Sequence, residues 1–400
     1  MIKAGLALLL LSLLVFTSDP AQAQVPSEIK IGGTISMTGP FAPEVAPFGK
    51  LAENWAAYIN ERGGIFLKEY GKALPVRFIF YDDKSDPTTS AKFYEQLATL
   101  DKVDLFIGPY SSPISIVAST VPEKYKVPMV LVEVDEPKIY ERGYKYIVGV
   151  ARTGENFMRR YMDMIGKEGK IKTLALVVQD IAHPRGVAGG VRLKAKEYNI
   201  KIVYDELFPP PTTDFTPAIT KIKALNPDLV VVSAFPAFSV GFMKQAKELG
   251  LNPKEFNVAH GAGKAFLRAF GLKDAQYLMG QSFCTPRDPK GSNWDVFEEI
   301  LKRTGIICLD FSWAPLRMYA FDAIKGALEK AGTLEKDKVM EALRTLRYET
   351  LHGTNFFGPT GIGNMYAFPM QVQGDRPKLI YPPELADAKH LFPTPPWDKR

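Results

Sequence analysis

The stretch EIKIGGTISMTGP, at residues 28–40, runs from a short β-rich segment directly into a turn of Gly, Ser, Thr and Pro. Leu51, Trp55 and Ile59 then recur at helical spacing, and Gly63-Gly64 ends that pattern as a helix C-cap does. A strand, a small polar turn and a helix in this order predict the first βα unit of an open α/β sheet. In such sheets ligands bind beside the carboxyl ends of the strands, where this turn lies.

The residues before this unit have the pattern of an export signal. Lys3 precedes an apolar run over residues 4–16, and Ala21-Gln22-Ala23 has the small-x-small pattern of a signal peptidase site. We expect cleavage after Ala23, which makes residues 1–23 a signal peptide and the mature chain a soluble periplasmic protein. A membrane anchor is the alternative, but a span needs about 20 apolar residues and this run is shorter.

The composition fits a solvated globular chain. Among 400 residues, 50 Lys and Arg are scattered among 44 Asp and Glu, for a formal net charge of +6. No basic run or arm stands out, so the sequence predicts no binding to nucleic acid. The length is sufficient for two domains, each with a core of its own.

Strand and helix patterns alternate along the rest of the chain. One series is complete by about residue 150, and a second series follows at residues 154–259. This alternation predicts parallel sheets covered by helices on both faces, so we expect an α/β protein of two Rossmann-like, doubly wound lobes with a cleft between them. The Pro-rich segments 381–383 and 394–397 predict an extended C-terminal strap at residues 386–400.

The motifs that mark α/β enzymes are missing from the sequence. It contains no GxGxxG after a strand, no GxxxxGK[ST], no GxSxG and no HExxH, and the four histidines are scattered. Asp82, Asp83 and Asp86 lack the spacing of a calcium loop, so we interpret them as turn-capping carboxylates. The sequence therefore predicts a binding protein, not an enzyme, with no metal and no cofactor.

The segment GPYSSP, at residues 108–113, is the clearest candidate for a ligand contact. It lies between a buried apolar strand and a predicted helix. The hydroxyls of Tyr110, Ser111 and Ser112, together with the first free N–H groups of the helix, form an arrangement that suits an anion. A plain N-cap role for the serine is the alternative.

Two cysteines, Cys284 and Cys308, are present and belong to no CxxC pair. In an oxidising compartment an even number permits one disulfide, while two buried thiols are the other interpretation. The sequence fixes no distance between them, so both possibilities stay open.

Taken in order along the chain, these stretches resemble the periplasmic binding proteins of the branched-chain amino acid (Leu/Ile/Val) type. The resemblance implies a type I binding fold whose lobes close by hinge motion, a role in delivering solute to a membrane ABC permease, and a monomer. It also implies three crossovers, near residues 150, 283 and 355. The implied lobes are residues 28–150 plus 284–355, and residues 151–283 plus 356–385. The stretches that carry the resemblance are residues 31–40, 81–87, 107–119, 142–144, 214–216, 226–228, 245–250 and 357–361.

The resemblance also implies roles for single residues. Ser112 falls on the hydroxyl that holds the ligand carboxylate, and Phe48 and Phe235 fall where the family often places rings against the ligand. Arg185 falls near the position of a family ring that this chain replaces, and it could hold a carboxylate through two of its guanidinium nitrogens. The cysteine pair of some relatives falls on Ser85 and Ser111, so that disulfide is missing.

Departures from the family pattern concern the ligand's amine. Glu133 and Asp135 replace a small segment of the family and could contact the ligand or pair with Arg152 or Arg185. His260 stands where the family has the acid that pairs with an ammonium, with a structural histidine as the alternative. We expect a small carboxylate, either an amino acid or a non-amino, possibly aromatic acid. A ligand sensor, and an enzyme using Glu133 and His260 as an acid/base pair, are the other hypotheses.

Overall fold

The computed structural model of the chain describes residues 25–400, and the predicted signal peptide lies outside these residues. Within them, none of the helices combines the length and the apolar character that crossing a membrane requires.

The described residues alternate between strands and helices. The strands are β1 (Ile29–Ile35), β2 (Ile65–Leu67), β3 (Lys72–Leu74), β4 (Val76–Asp82), β5 (Leu105–Ile107), β6 (Met129–Leu131), β7 (Ile147–Ala151), β8 (Thr173–Gln179), β9 (Lys201–Phe208), β10 (Leu229–Ser233), β11 (Glu255–Val258), β12 (Met279–Ser282), β13 (Arg347–Thr350), β14 (Gly353–Phe356), β15 (Ile362–Met365), β16 (Phe368–Gln373) and β17 (Arg376–Leu379). The α-helices are α1 (Ala42–Val45), α2 (Phe48–Asn60), α3 (Pro87–Thr99), α4 (Ser112–Ala118), α5 (Thr120–Tyr125), α6 (Pro137–Glu141), α7 (Arg159–Glu168), α8 (Ala182–Glu197), α9 (Thr216–Leu225), α10 (Pro236–Glu248), α11 (Lys264–Phe270), α12 (Trp294–Thr304), α13 (Ala314–Ala331) and α14 (Lys336–Arg344).

Two sheets form the cores of two lobes. The first has the order β15-β7-β6-β5-β1-β4, with all of its neighbours parallel. The second has the order β17-β16-β12-β11-β10-β8-β9 and is antiparallel only at β16 and β17. Strands β5, β6 and β10 are buried along their whole length, as expected for apolar strands covered by helices on both faces. The predicted class, two doubly wound α/β lobes, is confirmed.

The chain passes between the lobes after β7, β12 and β15. After β7 it continues into α7, which packs against α8 of the second lobe. After β12 it returns to the first lobe, where α12 packs against α2. The last passage leads from β15 to β16, which pairs with β12.

The last passage lies later in the chain than the predicted boundary at residue 355. β15 pairs in parallel with β7 of the first sheet, through Ile362 with Gly149 and Met365 with Ala151. The assignment of residues 356–365 to the second lobe is therefore wrong. The turn before β15 ends at Gly361, whose φ of 86° suits glycine, and it returns the chain to the first sheet before it crosses.

Helix α13 brings distant residues to the cleft. It packs against β6, β7 and β13 of the first lobe. Trp313 is its N-cap residue, and Pro315 lies in its first turn, where a missing N–H costs nothing. Arg317 follows one turn later and reaches Glu133, just after β6. The start of α13 thus lies over the carboxyl edge of the first sheet.

The predicted C-terminal strap, residues 386–400, packs on the second lobe. The backbone N–H of Thr394 donates to the carbonyl of Lys254 at 2.8 Å. The indole N–H of Trp397 donates to the carbonyl of Leu251 at 2.8 Å. Both carbonyls belong to the loop between α10 and β11, so the strap covers that loop.

The two cysteines form a disulfide. Their Cα atoms lie 5.7 Å apart, and the bond closes a loop with a sequence separation of 24 residues. The loop contains α12 and begins two residues after β12, so the disulfide lies at the second passage between the lobes.

We predict that replacing Cys284 and Cys308 together by Ser lowers the free energy of unfolding by about 3 kcal/mol, because the unfolded chain regains the entropy of an open loop of this size. Urea unfolding with and without a reductant measures the effect. The reductant should lower the stability of the wild type and leave the double variant unchanged. Equal stabilities of both proteins without reductant would contradict the prediction.

Candidate functional site

A cavity with an empty volume of about 440 Å³ lies between the lobes, at the carboxyl ends of the strands of both sheets. Seven of the nine ligand-binding residues predicted from the sequence line it. From the first lobe these are Tyr110, Ser111 and Ser112 after β5 and Glu133 and Asp135 after β6; from the second they are Phe235 after β10 and His260 after β11.

The walls of the cavity are largely aromatic. The ring of Phe157 lies 6.0 Å from Trp313 and 5.8 Å from His260, with planes inclined by 28° and 27°. Phe235 lies 5.4 Å from His260 and continues the wall on the second lobe. Flat rings at such spacing favour a ligand with an apolar and preferably aromatic body.

Two predicted site residues do not line the cavity. Phe48 is buried in the first lobe, between the ring of Phe80 at 5.2 Å and the guanidinium of Arg317 at 3.5 Å. Arg185 is exposed and pairs with Asp180 on the surface of the second lobe. The structure therefore places neither of them at the cavity, because Phe48 belongs to the core of the first lobe and Arg185 lies at the surface of the second.

Glu133 forms a buried ion pair with Arg317. The Nε–H of Arg317 donates to Oε1 of Glu133 at 2.5 Å, and Nη2 also contacts Oε2. The two side chains are 0% and 1% exposed. Burial raises the pKa of Glu133, and the adjacent guanidinium opposes that rise. Glu133 therefore pairs with neither Arg152 nor Arg185, and its carboxylate is already engaged.

We predict that Glu133→Leu alone lowers the free energy of unfolding by about 3 to 5 kcal/mol, because it leaves the guanidinium of Arg317 buried without a counter-charge. The double variant Glu133→Leu with Arg317→Met should recover most of this loss, since an apolar pair needs no desolvated charge. Urea unfolding of the three proteins measures both steps. A double variant as unstable as Glu133→Leu would contradict the prediction.

Asp135 connects the two lobes. The hydroxyl of Ser112 donates to Oδ1 of Asp135 at 3.0 Å, while Nδ1 of His183, on the second lobe, lies 2.6 Å from Oδ2. The Nε2 atoms of His183 and His260 lie 3.1 Å apart. The hydroxyl that the family resemblance assigns to a ligand carboxylate is thus already bound to a carboxylate of the protein itself.

The two histidines complete this chain of hydrogen bonds. Burial lowers the pKa of His260 well below its ordinary value, and the nearby His183 lowers it further, so His260 is uncharged at neutral pH. The two Nε2 atoms lie within hydrogen-bond distance, so one ring donates to the other. His260 therefore holds His183 against Asp135, a role that the sequence analysis left open as a structural alternative.

We predict that His260→Gln makes stability less sensitive to acid. The folded-state pKa lies below the ordinary 6.5, so below pH 6.5 the unfolded chain binds a proton that the folded chain does not, and stability is lost as the pH falls. The wild type should lose about 1 kcal/mol per pH unit more than His260→Gln below this value. Urea unfolding at pH 7, 6 and 5 tests this; equal slopes would contradict it.

Several buried polar atoms at the cavity have no partner among the described residues. The hydroxyls of Tyr110 and Ser111, each on a side chain 2% exposed, make no hydrogen bond there. Arg152, directly after β7, lines the cavity, and its buried Nε also lacks an acceptor. Its guanidinium pairs with no carboxylate of residues 25–400; it faces the ring of Tyr366 at 5.1 Å. These groups are available to a ligand.

Arg152 and His183 are cavity residues that the sequence does not predict, although both follow strands at whose ends other site residues lie. Trp313 is a third; it comes from the start of the distant α13, and no local sequence pattern marks it. Within residues 25–400, no group of three or more His, Cys, Asp and Glu side chains is arranged to hold a metal ion.

Two α/β lobes around a cleft that both of them line define a bilobed, ligand-binding class of protein. The chain belongs to the periplasmic binding protein family, whose model matches residues 28–377.

Named relatives match most of the chain. A leucine-, isoleucine-, valine-, threonine- and alanine-binding protein of Pseudomonas aeruginosa is 26% identical over 345 residues, which are 82% of this chain and 86% of that protein. The Leu/Ile/Val-binding protein homolog 7 of Brucella abortus is 22% identical over 398 residues, 93% of this chain and 92% of that protein.

Solved structures share the fold. The branched-chain amino acid transporter substrate-binding protein LivJ of Streptococcus pneumoniae, in complex with isoleucine, has a TM-score of 0.74 at 20% identity and covers 89% of this chain and 100% of its own. A solute-binding protein of an ABC transporter from R. palustris, in complex with benzoate, has a TM-score of 0.74 at 15% identity and covers 91% and 99%. The type I periplasmic binding fold is confirmed.

Proposed function

We propose that the protein is the extracytoplasmic solute-binding component of an ABC importer and captures a small, non-amino carboxylate with an aromatic body. Its relatives support the binding role, and their names and bound ligands include both branched-chain amino acids and benzoate. The residues of this cleft support the non-amino carboxylate.

The charge distribution in the cleft carries the proposal. Arg152 offers a cation without a carboxylate partner among the described residues, which suits an anionic group of the ligand. Both acids that line the cavity are engaged: Glu133 with Arg317, and Asp135 with Ser112 and His183. Neither of these two acids is free to pair with a ligand ammonium, and a buried charge without a partner costs several kcal/mol.

Binding without catalysis is part of the proposal. The acid/base pair considered from the sequence, Glu133 and His260, is divided between different partners, since Glu133 meets Arg317 and His260 meets His183. Neither group is free to exchange a proton with a ligand.

We further propose a periplasmic location, a monomeric state and a membrane ABC permease as partner. An amino acid is the second candidate ligand, favoured by the names of the relatives.

Mass spectrometry of the compound released from the purified protein by mild denaturation tests the ligand class directly. Calorimetry with phenylpropionate and phenylalanine, which differ in the amine, supplies a second test. We expect phenylpropionate to bind more tightly. Phenylalanine binding about tenfold tighter, a difference near 1.4 kcal/mol, would show that an acid holds the amine and would overturn the non-amino assignment.

We predict that Arg152→Gln weakens phenylpropionate binding about tenfold or more, because a hydrogen bond to a charged group contributes about 1.5 to 3 kcal/mol. Arg185→Gln is the matched control. It removes the same charge from an exposed site paired with Asp180, and it should leave the affinity unchanged. Calorimetry on the three proteins measures the effect; equal losses in both variants would indicate a general effect of net charge and exclude Arg152 as the anchor.

A further inference from the structure

A second pocket lies behind the proposed carboxylate anchor. Arg152 and Asn156 line both the cavity between the lobes and this pocket, which has an empty volume of about 610 Å³. Its other walls are formed by Thr153 and by residues of the segment 356–364. We call it the hinge pocket, because it lies where the first and third passages between the lobes leave the first sheet. Arg152 therefore stands between two spaces, and a group in either one can contact it.

The rim of the hinge pocket is a turn that is held in place by hydrogen bonds. The N–H of Gly361 donates to the carbonyl of Gly358 at 2.8 Å, and the carbonyl of Gly361 accepts from the N–H of Gly149 at 2.9 Å. Pro359 and Thr360, within this turn, line the pocket and are exposed. The hinge pocket thus opens to solvent on the same pair of strands, β7 and β15, that carries the anchor.

The surroundings of the hinge pocket are positively charged. None of the described residues that line it is an acid. Three guanidinium groups surround the ring of Tyr366, just after β15. They belong to Arg152, Arg160 and Arg159, at 5.1, 5.6 and 5.9 Å from the ring centroid. Arg159 pairs with Asp163 at 3.7 Å, whereas Arg160 donates to the carbonyl of Tyr366. Charge complementarity therefore favours an acidic partner group.

Two polar groups of the hinge pocket define the chemistry of its occupant. The guanidinium of Arg152 pairs with no carboxylate of residues 25–400, and the buried Oδ1 of Asn364 has no hydrogen-bond partner there. The guanidinium only donates and the amide oxygen only accepts, so the occupant needs both an acceptor and a donor. An acidic residue of a polypeptide has both, because its carboxylate accepts from Arg152 and a backbone N–H donates to Asn364. A simple carboxylate lacks the donor.

We propose that the hinge pocket is a docking site for an acidic residue on a loop of a partner protein, and that this residue competes with the bound solute for Arg152. The proposal rests on the proposed function, because it uses the carboxylate anchor and the membrane permease as the partner. A guanidinium has five N–H donors, so it can contact a carboxylate on each side. Two carboxylates at one cation repel each other, so docking weakens the hold on the solute and promotes its release.

Stopped-flow measurement of solute release tests the proposal. Protein loaded with phenylpropionate is diluted into buffers of equal ionic strength that contain N-acetylglutamate amide, N-acetylglutamine amide or acetate. A compound that only competes for the empty cleft leaves the dissociation rate of bound solute unchanged, so acceleration requires both to be bound at once. We expect N-acetylglutamate amide to raise the rate about tenfold or more, since the solute loses a charged hydrogen bond. The glutamine compound should have no effect, and acetate a smaller one.

Thr360→Glu supplies the competing carboxylate from the protein itself. It places an acid on the exposed rim of the hinge pocket, and it should raise the dissociation rate of phenylpropionate about two- to fivefold, the size of an exposed ion pair. Thr120→Glu is the matched control. It adds the same charge at an exposed position of α5 that lines neither the cavity nor the hinge pocket, and the rate should stay at the wild-type value.

The outcomes separate the docking site from the proposed function. If phenylpropionate does not bind the wild type, the aromatic carboxylate function is wrong, and the docking site falls with it. If phenylpropionate binds but N-acetylglutamate amide does not accelerate its release, the cleft assignment stands and the docking site is wrong. Acceleration by acetate as strong as by the glutamate compound would overturn docking of a polypeptide in favour of a free carboxylate. Equal acceleration in Thr120→Glu and Thr360→Glu would indicate an effect of net charge and overturn the role of the hinge pocket.

Discussion

The buried ion pair between Arg317 and Glu133 fixes the geometry of the whole cleft. Both charges are removed from water, so each depends on the other for its stability. Arg317 belongs to α13 and Glu133 follows β6, so the pair holds the start of that helix over the edge of the first sheet. Trp313 thereby becomes a wall of the cavity. The same pair neutralises an acid that would otherwise repel an anionic ligand.

Asp135 places a second constraint on what the cleft can accept. Its carboxylate accepts a hydrogen bond from the hydroxyl of Ser112 and contacts His183 of the other lobe. A ligand carboxylate at the same hydroxyl would meet a like charge at close range, which costs free energy. The cleft thus carries its own anion, Asp135, at one position and, at another, Arg152, a cation with no carboxylate partner among residues 25–400.

The sequence predicts the fold well because alternation of strands and helices leaves few topologies, and the apolar runs of β5, β6 and β10 mark buried parallel strands. The predicted position of the last lobe boundary is wrong because β15 pairs with β7, which is distant in sequence, and no local sequence pattern indicates that pairing. In the site, the carboxyl ends of strands locate Ser112 and His260. Phe48 instead packs against Phe80 and Arg317 inside its own lobe, a tertiary contact that no local pattern shows. Trp313 is missed because only tertiary packing brings α13 to the cavity.

The pairing of β7 with β15 has a mechanical consequence. The first and third passages between the lobes leave the first sheet from neighbouring strands joined by backbone hydrogen bonds, such as the N–H of Arg152 to the carbonyl of Met365 at 3.0 Å. Two strands bonded side by side resist shear between them, so these passages bend together as one ribbon. The remaining passage is stiffened by the cross-link between Cys284 and Cys308. Such a ribbon favours flexing of the lobes about a single line over sliding, and Arg152, the proposed anchor, lies on it.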